Sequence, residues 1–460
     1  MSLRRVRTAF RRYRTLRAKL AEFRRHARLT RSEFEAERLA RFRRHLAYAQ
    51  RHSPYYAEVL RERGIDPATA APGDLPVLTK KLLRERFDDI VTDRRISTAG
   101  IEEFLRGSQD ARDRYLGEFR VLHTSGSSGP PACVVFSERD WVRGMAQWLR
   151  PQFRPPGSGG LRPYRVAYYG ATRGHYGGVS MATPAHQGFL RRLVAVERHD
   201  VDEPLADTLR ALDAQQPDLL IGYVAALKVL AEAQLAGRLA IAPRFVQGGG
   251  EAMTQADAVL LRRAFRCDVR NNYGCTEHLM MGLSTPDGER IVLYDDDFVF
   301  EVRDDHCLVT NLYNETLPLF RYRLDDRLRP VADPDPRFPW LAVEALIGRS
   351  EITLTFVNDD GVPEALLPYS LIVLLTAPNV LGFQVRADGE SALTLRVRVD
   401  PAAGPEARAA ALAAMHAQVR RLLDGKRMRR VAVAVEEAAA LPPDPRTGKL
   451  KLVVDARAPR

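Results

Sequence analysis

Cysteine is scarce in this chain. There are four in 460 residues, Cys133, Cys267, Cys275 and Cys307, without the close pairing that a disulfide framework or a zinc ribbon requires. That scarcity argues against a cross-linked secreted scaffold and for a reducing, cytoplasmic setting. Long apolar runs are missing as well. No stretch of about 18 uncharged apolar residues occurs and the N-terminus has no apolar signal core, so no transmembrane segment is expected and the chain should be soluble. No internal repeat is present. The length exceeds what one hydrophobic core usually organises, so more than one domain is expected.

Acidic side chains are rare at one end. Residues 1–50 hold sixteen Arg and Lys against four Glu, a local charge of +12 that equals the net charge of the whole chain. Val6, Phe10, Tyr13, Leu16, Leu20 and Phe23 recur at three- and four-residue steps and predict an amphipathic helix. The apolar stripe suits a packing face, while Arg11, Arg12, Arg14 and Arg17 suit an anionic lipid, an acidic protein or a nucleic acid. Peripheral contact with an anionic membrane stays open; nucleic-acid binding is not expected. The Arg-rich start also resembles a mitochondrial transit peptide, but the helical pattern runs on past Arg44, which speaks against one.

Residues 33–63 read as helices that end at Gly64, followed by a turn cluster over 71–76. From Phe119 the texture changes. Short β-rich runs at 165–169, 218–222, 244–247 and 268–272 alternate with helical stretches at 205–215 and 254–265, the βα alternation of a parallel sheet covered on both faces. Residues 291–322 alternate like antiparallel strands, and Gly348-Arg349-Ser350 marks a joint. Beyond it, strands at 353–356, 382–386, 393–399 and 431–436 and a helix at 406–423 predict a small α+β domain. The expected α/β organisation is a basic helical segment over 1–75 packed on a large domain over 76–347 with mainly parallel sheets flanked by helices, then a small mobile domain over 348–460.

Three loops follow strands of the parallel pattern, where open α/β sheets bind ligands. Thr124-Ser125-Gly126-Ser127-Ser128-Gly129 has glycines that let backbone N–H groups turn toward one anion and hydroxyls that add donors, although such runs also serve as plain connectors. Gly248-Gly249-Gly250-Glu251 would let a flat ring lie on bare backbone, or form only a tight turn. Asn272-Tyr273-Gly274-Cys275-Thr276-Glu277-His278 offers a stacking ring, a hydroxyl and a carboxylate. Glu277 suits Mg²⁺ between phosphates, or a structural hydrogen bond with His278.

In this order the loops resemble the adenylate-forming (ANL) superfamily, and within it the phenylacetate-CoA ligase and CapK-like branch. Ala49-Gln50-Arg51-His52-Ser53-Pro54-Tyr55-Tyr56 and Leu75-Pro76-Val77-Leu78-Thr79-Lys80 resemble that branch's N-terminal signature, without obvious chemistry. The resemblance implies ATP and Mg²⁺ as cofactors. It implies phosphate contacts at Thr124, Ser125, Gly126, Ser127, Ser128, Gly129 and Thr276, an adenine shelf at Gly249, Gly250 and Glu251 beside Asn272, Tyr273 and Gly274, and Mg²⁺ at Glu277. Arg321-Tyr322-Arg323-Leu324-Asp325-Asp326 resembles the ribose-binding motif, with Asp326 on the ribose hydroxyls and Arg349 nearby. Glu351 would be the hinge and Lys449, in Arg446-Thr447-Gly448-Lys449, the catalytic lysine.

An ATP-dependent ligase follows from the resemblance, joining a carboxylic acid to the thiol of CoA or of an acidic acyl carrier protein through an acyl adenylate. A small aromatic acid is expected, against Tyr169, His175, Tyr176 and Gly248. Two departures stand out. Ala132 replaces the usual loop lysine, and Leu324-Asp325 replaces Thr-Gly, adding negative charge near the nucleotide. A zinc site found in some relatives is not expected, because Cys275, His278, His306 and Cys307 lack its spacing. The alternatives are an adenylyltransferase acting on a cofactor hydroxyl without thioester formation, and a non-catalytic nucleotide-binding homologue.

Overall fold

The computed structural model describes residues 3–124, 132–150, 163–183, 194–331, 339–344, 352–368, 370–371, 377–441 and 452–457, with side chains from Thr8 onward. Helix α1 spans Leu3–His26 and α2 spans Arg31–His52. They are separate helices because Thr30 caps α2 in a reciprocal capping box with Glu33. Helix α3, Pro54–Arg63, starts on a Ser53 cap with proline in its first turn and stops at Gly64, whose φ of 63° favours glycine.

The strands run β1 Arg120–His123, β2 Cys133–Phe136, β3 Tyr164–Gly170, β4 Val194–Asp200, β5 Leu219–Tyr223, β6 Phe245–Gly249, β7 Asp268–Cys275, β8 Leu279–Ser284, β9 Arg290–Leu293, β10 Phe298–Val302, β11 Cys307–Asn311, β12 Tyr322–Leu324 and β13 Ala342–Glu344. An eight-stranded sheet orders them β13-β9-β8-β7-β6-β5-β3-β4. Strands β4, β3, β5, β6 and β7 pair parallel, and β7, β8, β9 and β13 antiparallel. Helices Leu205–Gln215, Val224–Leu235 and Gln255–Phe265 join the parallel strands and bury their leucines and alanines against them. Strands β10, β11 and β12 form a separate antiparallel sheet.

After β14, Leu354–Val357, and β15, Pro363–Leu366, a four-stranded sheet combines β16 Val380–Gly389, β17 Ala392–Val399, β18 Ala432–Glu437 and β19 Val453–Asp455. Its own apolar core forms with helix Pro405–Gly425. One buried ion pair touches the rest of the chain. Lys426 Nζ lies 2.8 Å from Glu364 Oε1, Glu364 Oε2 accepts the amide of Leu205 at 2.9 Å, and Lys426 donates to the carbonyl of Glu203 at 3.3 Å. Leu367 joins the apolar core of the parallel sheet.

Charge as well as apolar area docks the basic helices. Asp295, Asp296 and Asp297 are all buried after β9. Lys19 pairs with Asp297, Arg41 reaches Asp297 at 2.7 Å, His26 meets Asp296 at 3.1 Å, and Arg31 and Arg38 each reach Asp295 at 3.0 Å. Arg150 pairs with Asp296 while its guanidinium sits 4.0 Å from the centroid of Phe23 and 4.1 Å from that of Tyr294. Part of the N-terminal charge is therefore internal ligation rather than free surface. Burial opposes ionisation of Asp297, but Lys19, Arg41 and Arg150 outweigh it and hold the carboxyl well below its usual range.

Removing one partner of such a cluster strands the others in a dry interior. Asp297→Ala is expected to lower unfolding free energy by about 3–5 kcal/mol in a urea titration. A loss below about 1 kcal/mol would mean that the cluster is not a fixed part of the fold.

Candidate functional site

The carboxyl ends of β5, β6 and β7 and the segment after β3 converge through glycines. Gly250 has φ 75°, and a Cβ there would lie 3.0 Å from the Tyr223 ring. A Cβ on Gly178 would lie 2.6 Å from the hydroxyl of Tyr168, which itself sits 3.3 Å from that of Tyr223. Gly249 backs onto Asn272, and Gly177 onto the Thr276 hydroxyl at 3.6 Å from its Cβ position. Side chains at Gly250 and Gly178 would press on the tyrosines, whereas Gly249 and Gly177 would meet their neighbours at ordinary contact distance. Glu251 accepts the amide of Ala225 at 2.7 Å, so its carboxylate anchors the glycine turn to the start of a helix.

Two tyrosine–carboxylate bonds tie β7 and its turn to the segment around β12. The Tyr273 hydroxyl donates to Asp326 at 2.9 Å, and the Tyr322 hydroxyl donates to Glu277 at 2.8 Å. Burial and the adjoining carboxylate push both phenols well above their usual range, so both remain donors. Lys80 faces the same carboxylate. Burial pulls its ammonium down while the charge of Glu277 pulls it up.

The turn needs a bare backbone. A Cβ on Gly274 would lie 2.2 Å from the Leu279 carbonyl, where β7 bulges and Leu279 takes φ 60°. Glu277 does not bond with His278. That ring is fully buried edge-on to Phe298 and Tyr322, finds no hydrogen-bond partner among the described residues, and is pushed down to about 3 by burial.

The signature segments brace this site. Ser53 donates to the Asp89 carbonyl at 2.9 Å, and Tyr56 donates to the Pro318 carbonyl at 2.9 Å. Leu78 exchanges backbone hydrogen bonds with Arg321 and Arg323 at 3.1 and 2.9 Å. Both segments thus position the stretch that carries Tyr322 and Asp326. Thr124 and Ala132 pair through their backbones, and the Thr124 hydroxyl accepts the Ala132 amide at 3.0 Å, closing the neck of the loop between them.

Ala132 is buried in the main core, so its methyl is a packing group. Asp325 is 80 % exposed and bonded to Arg323 at 2.9 Å, which offsets its added charge. Ser125, Gly126, Ser127, Ser128, Gly129, Arg349, Glu351 and Lys449 lie outside the described residues.

The acid-pocket residues are placed differently from expectation. Tyr169 is fully buried in the core beneath the parallel sheet, because adjacent residues of β3 face opposite ways, and Tyr168 takes the side toward Tyr223. His175 is bound to Ser108 at 3.0 Å, and Ser108 donates to Asp113 at 2.6 Å. Tyr176 packs edge-on to His123, with centroids 4.3 Å apart. Gly248 is walled by Met253 and Val224. Tyr223 was given no role by the sequence, and Lys80 and Tyr322 stood there only as members of their motifs.

Among the described residues no three His, Cys, Asp or Glu side chains gather as a metal site, and no helix is long and apolar enough to cross a membrane.

Residues 119–296 match the family model of the AMP-binding enzymes. Protein CapK of Staphylococcus aureus is 23% identical over 307 residues, 62% of this chain and 61% of that protein. The chain thus spans about three fifths of that relative's length. A solved 2-hydroxyisobutyryl-CoA ligase, in complex with 2-HIB-AMP and CoA in its thioesterification state, superposes with a TM-score of 0.59 at 17% identity, covering 94% of this chain and 91% of that one. The same ligase in its postadenylation state gives 0.56 at 19% identity, covering 94% and 92%. These likenesses show the fold alone, the mixed α/β arrangement described above.

His278 and His45, the latter pushed down to about 4 by burial, are neutral in the folded chain. Their folded values lie below the unfolded value of about 6.5, so their stabilisation is complete above that pH and is lost as pH falls. His278→Phe is expected to flatten the fall in stability between about pH 6 and 4.5 by about 1.4 kcal/mol per pH unit. An unchanged slope would show that His278 is not held neutral.

Proposed function

We propose that this chain is an ATP-dependent, AMP-forming ligase that adenylates a carboxylic acid and passes the acyl group to a thiol. The observation that carries the reading is the crossed pair of tyrosine–carboxylate bonds, which holds Asp326 against Tyr273 and Glu277 against Tyr322. Asp326, held by Tyr273, would be the carboxylate that meets the hydroxyls of a ribose. Glu277 gives one oxygen to Tyr322 and has no hydrogen bond to the other among the described residues, a donor set that suits a hard cation such as Mg²⁺. When bound, Mg²⁺ would screen the phosphate charge.

In the first half-reaction a carboxylate oxygen forms a bond to the α-phosphorus of ATP, and the bond to pyrophosphate breaks. Both reactants are anions, so positive charge and oriented donors must be present before the reaction begins. Lys449 supplies that charge from the C-terminal unit, and Lys80 supplies it from beside Glu277, in the absence of a lysine at Ala132. Thr124 and the loop 125–129 hold phosphate oxygens. In the second half-reaction a thiolate forms the bond to the acyl carbon and AMP leaves.

The wall of Tyr168 and Tyr223 and the bare backbone of Gly177-Gly178 favour a small flat acid, such as a hydroxybenzoate. The acceptor is CoA or the arm of an acidic carrier protein. For a carrier, the outward arginines Arg11, Arg14 and Arg17 provide steering, while Arg12 is held by Glu138.

Exchange of labelled pyrophosphate into ATP, run over aryl, fatty and amino acids, tests the first step. Acid-dependent exchange is expected with aryl acids, and Lys449→Ala should reduce it by about 10²–10³-fold. Lys80→Met should reduce it by about tenfold or more, whereas Asp325→Gly should change it less than about twofold. No exchange with any acid would overturn the reading. Reversing Arg11, Arg14 and Arg17 together is expected to slow loading of a carrier protein at low salt while leaving turnover with CoA unchanged; equal loss with both acceptors would remove the steering role.

A further inference from the structure

Arg120, the first residue of β1, is 2 % exposed, and none of its three guanidinium nitrogens has a hydrogen-bond partner among the described residues. Its guanidinium carbon lies 4.4 Å from the centroid of the buried Trp141 ring. That stacking occupies one face of the plane and leaves every in-plane N–H donor unused. No carboxylate of the described residues lies within ion-pair distance of it.

The charges that act on it are Arg114, Arg12 and the single carboxylate of Glu138. Glu138 is engaged with Arg12 at 2.6 Å, and Arg114 donates to the carbonyls of Ala111 and Asp113 at 3.1 and 2.7 Å. Three guanidinium groups thus converge on one carboxylate where α1, helix Glu138–Met145 and the start of β1 meet.

Other arginines in the same chain show what compensation looks like. Arg150 is equally buried and equally stacked on rings, yet it bonds to Asp296 and to Gln147, the latter at 2.7 Å. Arg41 has Asp297. Burial and the neighbouring Arg114 push the Arg120 guanidinium down to about 9, which still leaves it charged at neutral pH. Water can meet orphan donors but does not neutralise a buried charge.

We infer that Arg120, with Arg12 and Arg114 around it, forms a binding site for one small oxyanion of the phosphate or sulfate class, separate from the nucleotide site. The planar fork of N–H donors matches two oxygens of such an anion, and its negative charge supplies the missing partner. The low exposure of Arg120 restricts the occupant to a small ion. Arg12 and Glu138, about one third and one quarter exposed, form the cover between it and solvent.

Occupancy joins α1 to β1, the strand whose far end delivers Thr124 to the neck of the phosphate loop. The site therefore ties the N-terminal helix to the strand that leads into the loop.

Thermal unfolding of the full-length chain, measured in excess AMP so that the nucleotide site is filled, tests this with inorganic phosphate and sulfate against chloride at equal ionic strength. Phosphate and sulfate should raise the Tm of the wild-type chain by about 2–4 °C over chloride. Arg120→Met, which places an unbranched apolar chain over Trp141, should fold and lose the anion-dependent rise. Arg12→Gln should weaken it while leaving Arg120 in place. Selenate soaked into crystals of the full-length chain should give an anomalous peak within hydrogen-bond reach of Arg120. The inference is overturned if the Tm of the wild type does not distinguish these anions, if Arg120→Met keeps the full rise, or if the selenate peak is absent.

Discussion

Two hydroxyl–carboxylate bonds, Tyr273 to Asp326 and Tyr322 to Glu277, hold together parts of the chain that lie about fifty residues apart. Each element gives a tyrosine and receives one, so a shift of either strand breaks both bonds at once. Hydrogen bonds to a charged acceptor contribute about 1.5–3 kcal/mol apiece, enough to choose one register among several of similar packing. The rest of the site is arranged around this clamp. The bulge at Gly274 lets β7 turn back against Leu279 and places Thr276 opposite Gly177, while Leu78 and Tyr56 hold the β12 segment from outside. The N-terminal signature thus has a mechanical role in a site to which it contributes only Lys80.

Charge in this chain is arranged by depth. Three buried aspartates in succession take up Lys19, His26, Arg31, Arg38, Arg41 and Arg150, and the arginines that remain outward on α1 lie on the opposite face. Buried ion pairs are weak sources of net stability but strong sources of uniqueness, since a helix docked one turn out of place would bury the same aspartates without partners. An amphipathic stripe alone would tolerate such slippage. Leu16, Leu20 and Phe23 give α1 its adhesive side, and Lys19 and His26 fix where along the domain it rests.

The βα alternation, the antiparallel stretch after β8 and the C-terminal α+β unit were legible because each rests on local periodicity and on glycine or proline punctuation. The glycine turns that end β6 and β7 were legible for the same reason. The partners of Glu277 and Asp326 were not. Glu277 adjoins His278 in sequence, but the turn sends the two side chains apart, and the bonding partner Tyr322 comes from a strand that periodicity cannot pair with it. Tyr168 and Tyr169 show a different failure. Composition identifies an aromatic strand end, and only the parity of the pleat decides that Tyr169 packs with the helix-covered core while Tyr168, equally buried, turns toward Tyr223. The role of Asp295, Asp296 and Asp297 was hidden because an acidic triplet between two strands reads as a solvated turn until the helices that neutralise it are seen to lie over it.

Lys426 and Glu364 both belong to the C-terminal side of their contact, while Leu205 and Glu203 belong to the parallel-sheet side. Were the C-terminal unit to lift away, the two ions would depart as a neutral plug, still joined, and neither would be left orphaned in a dry socket. What stays behind is one amide and one carbonyl at the start of a helix, groups that water satisfies readily. The apolar part of the contact is Leu367, whose withdrawal from the core of the parallel sheet is the step that would cost buried area.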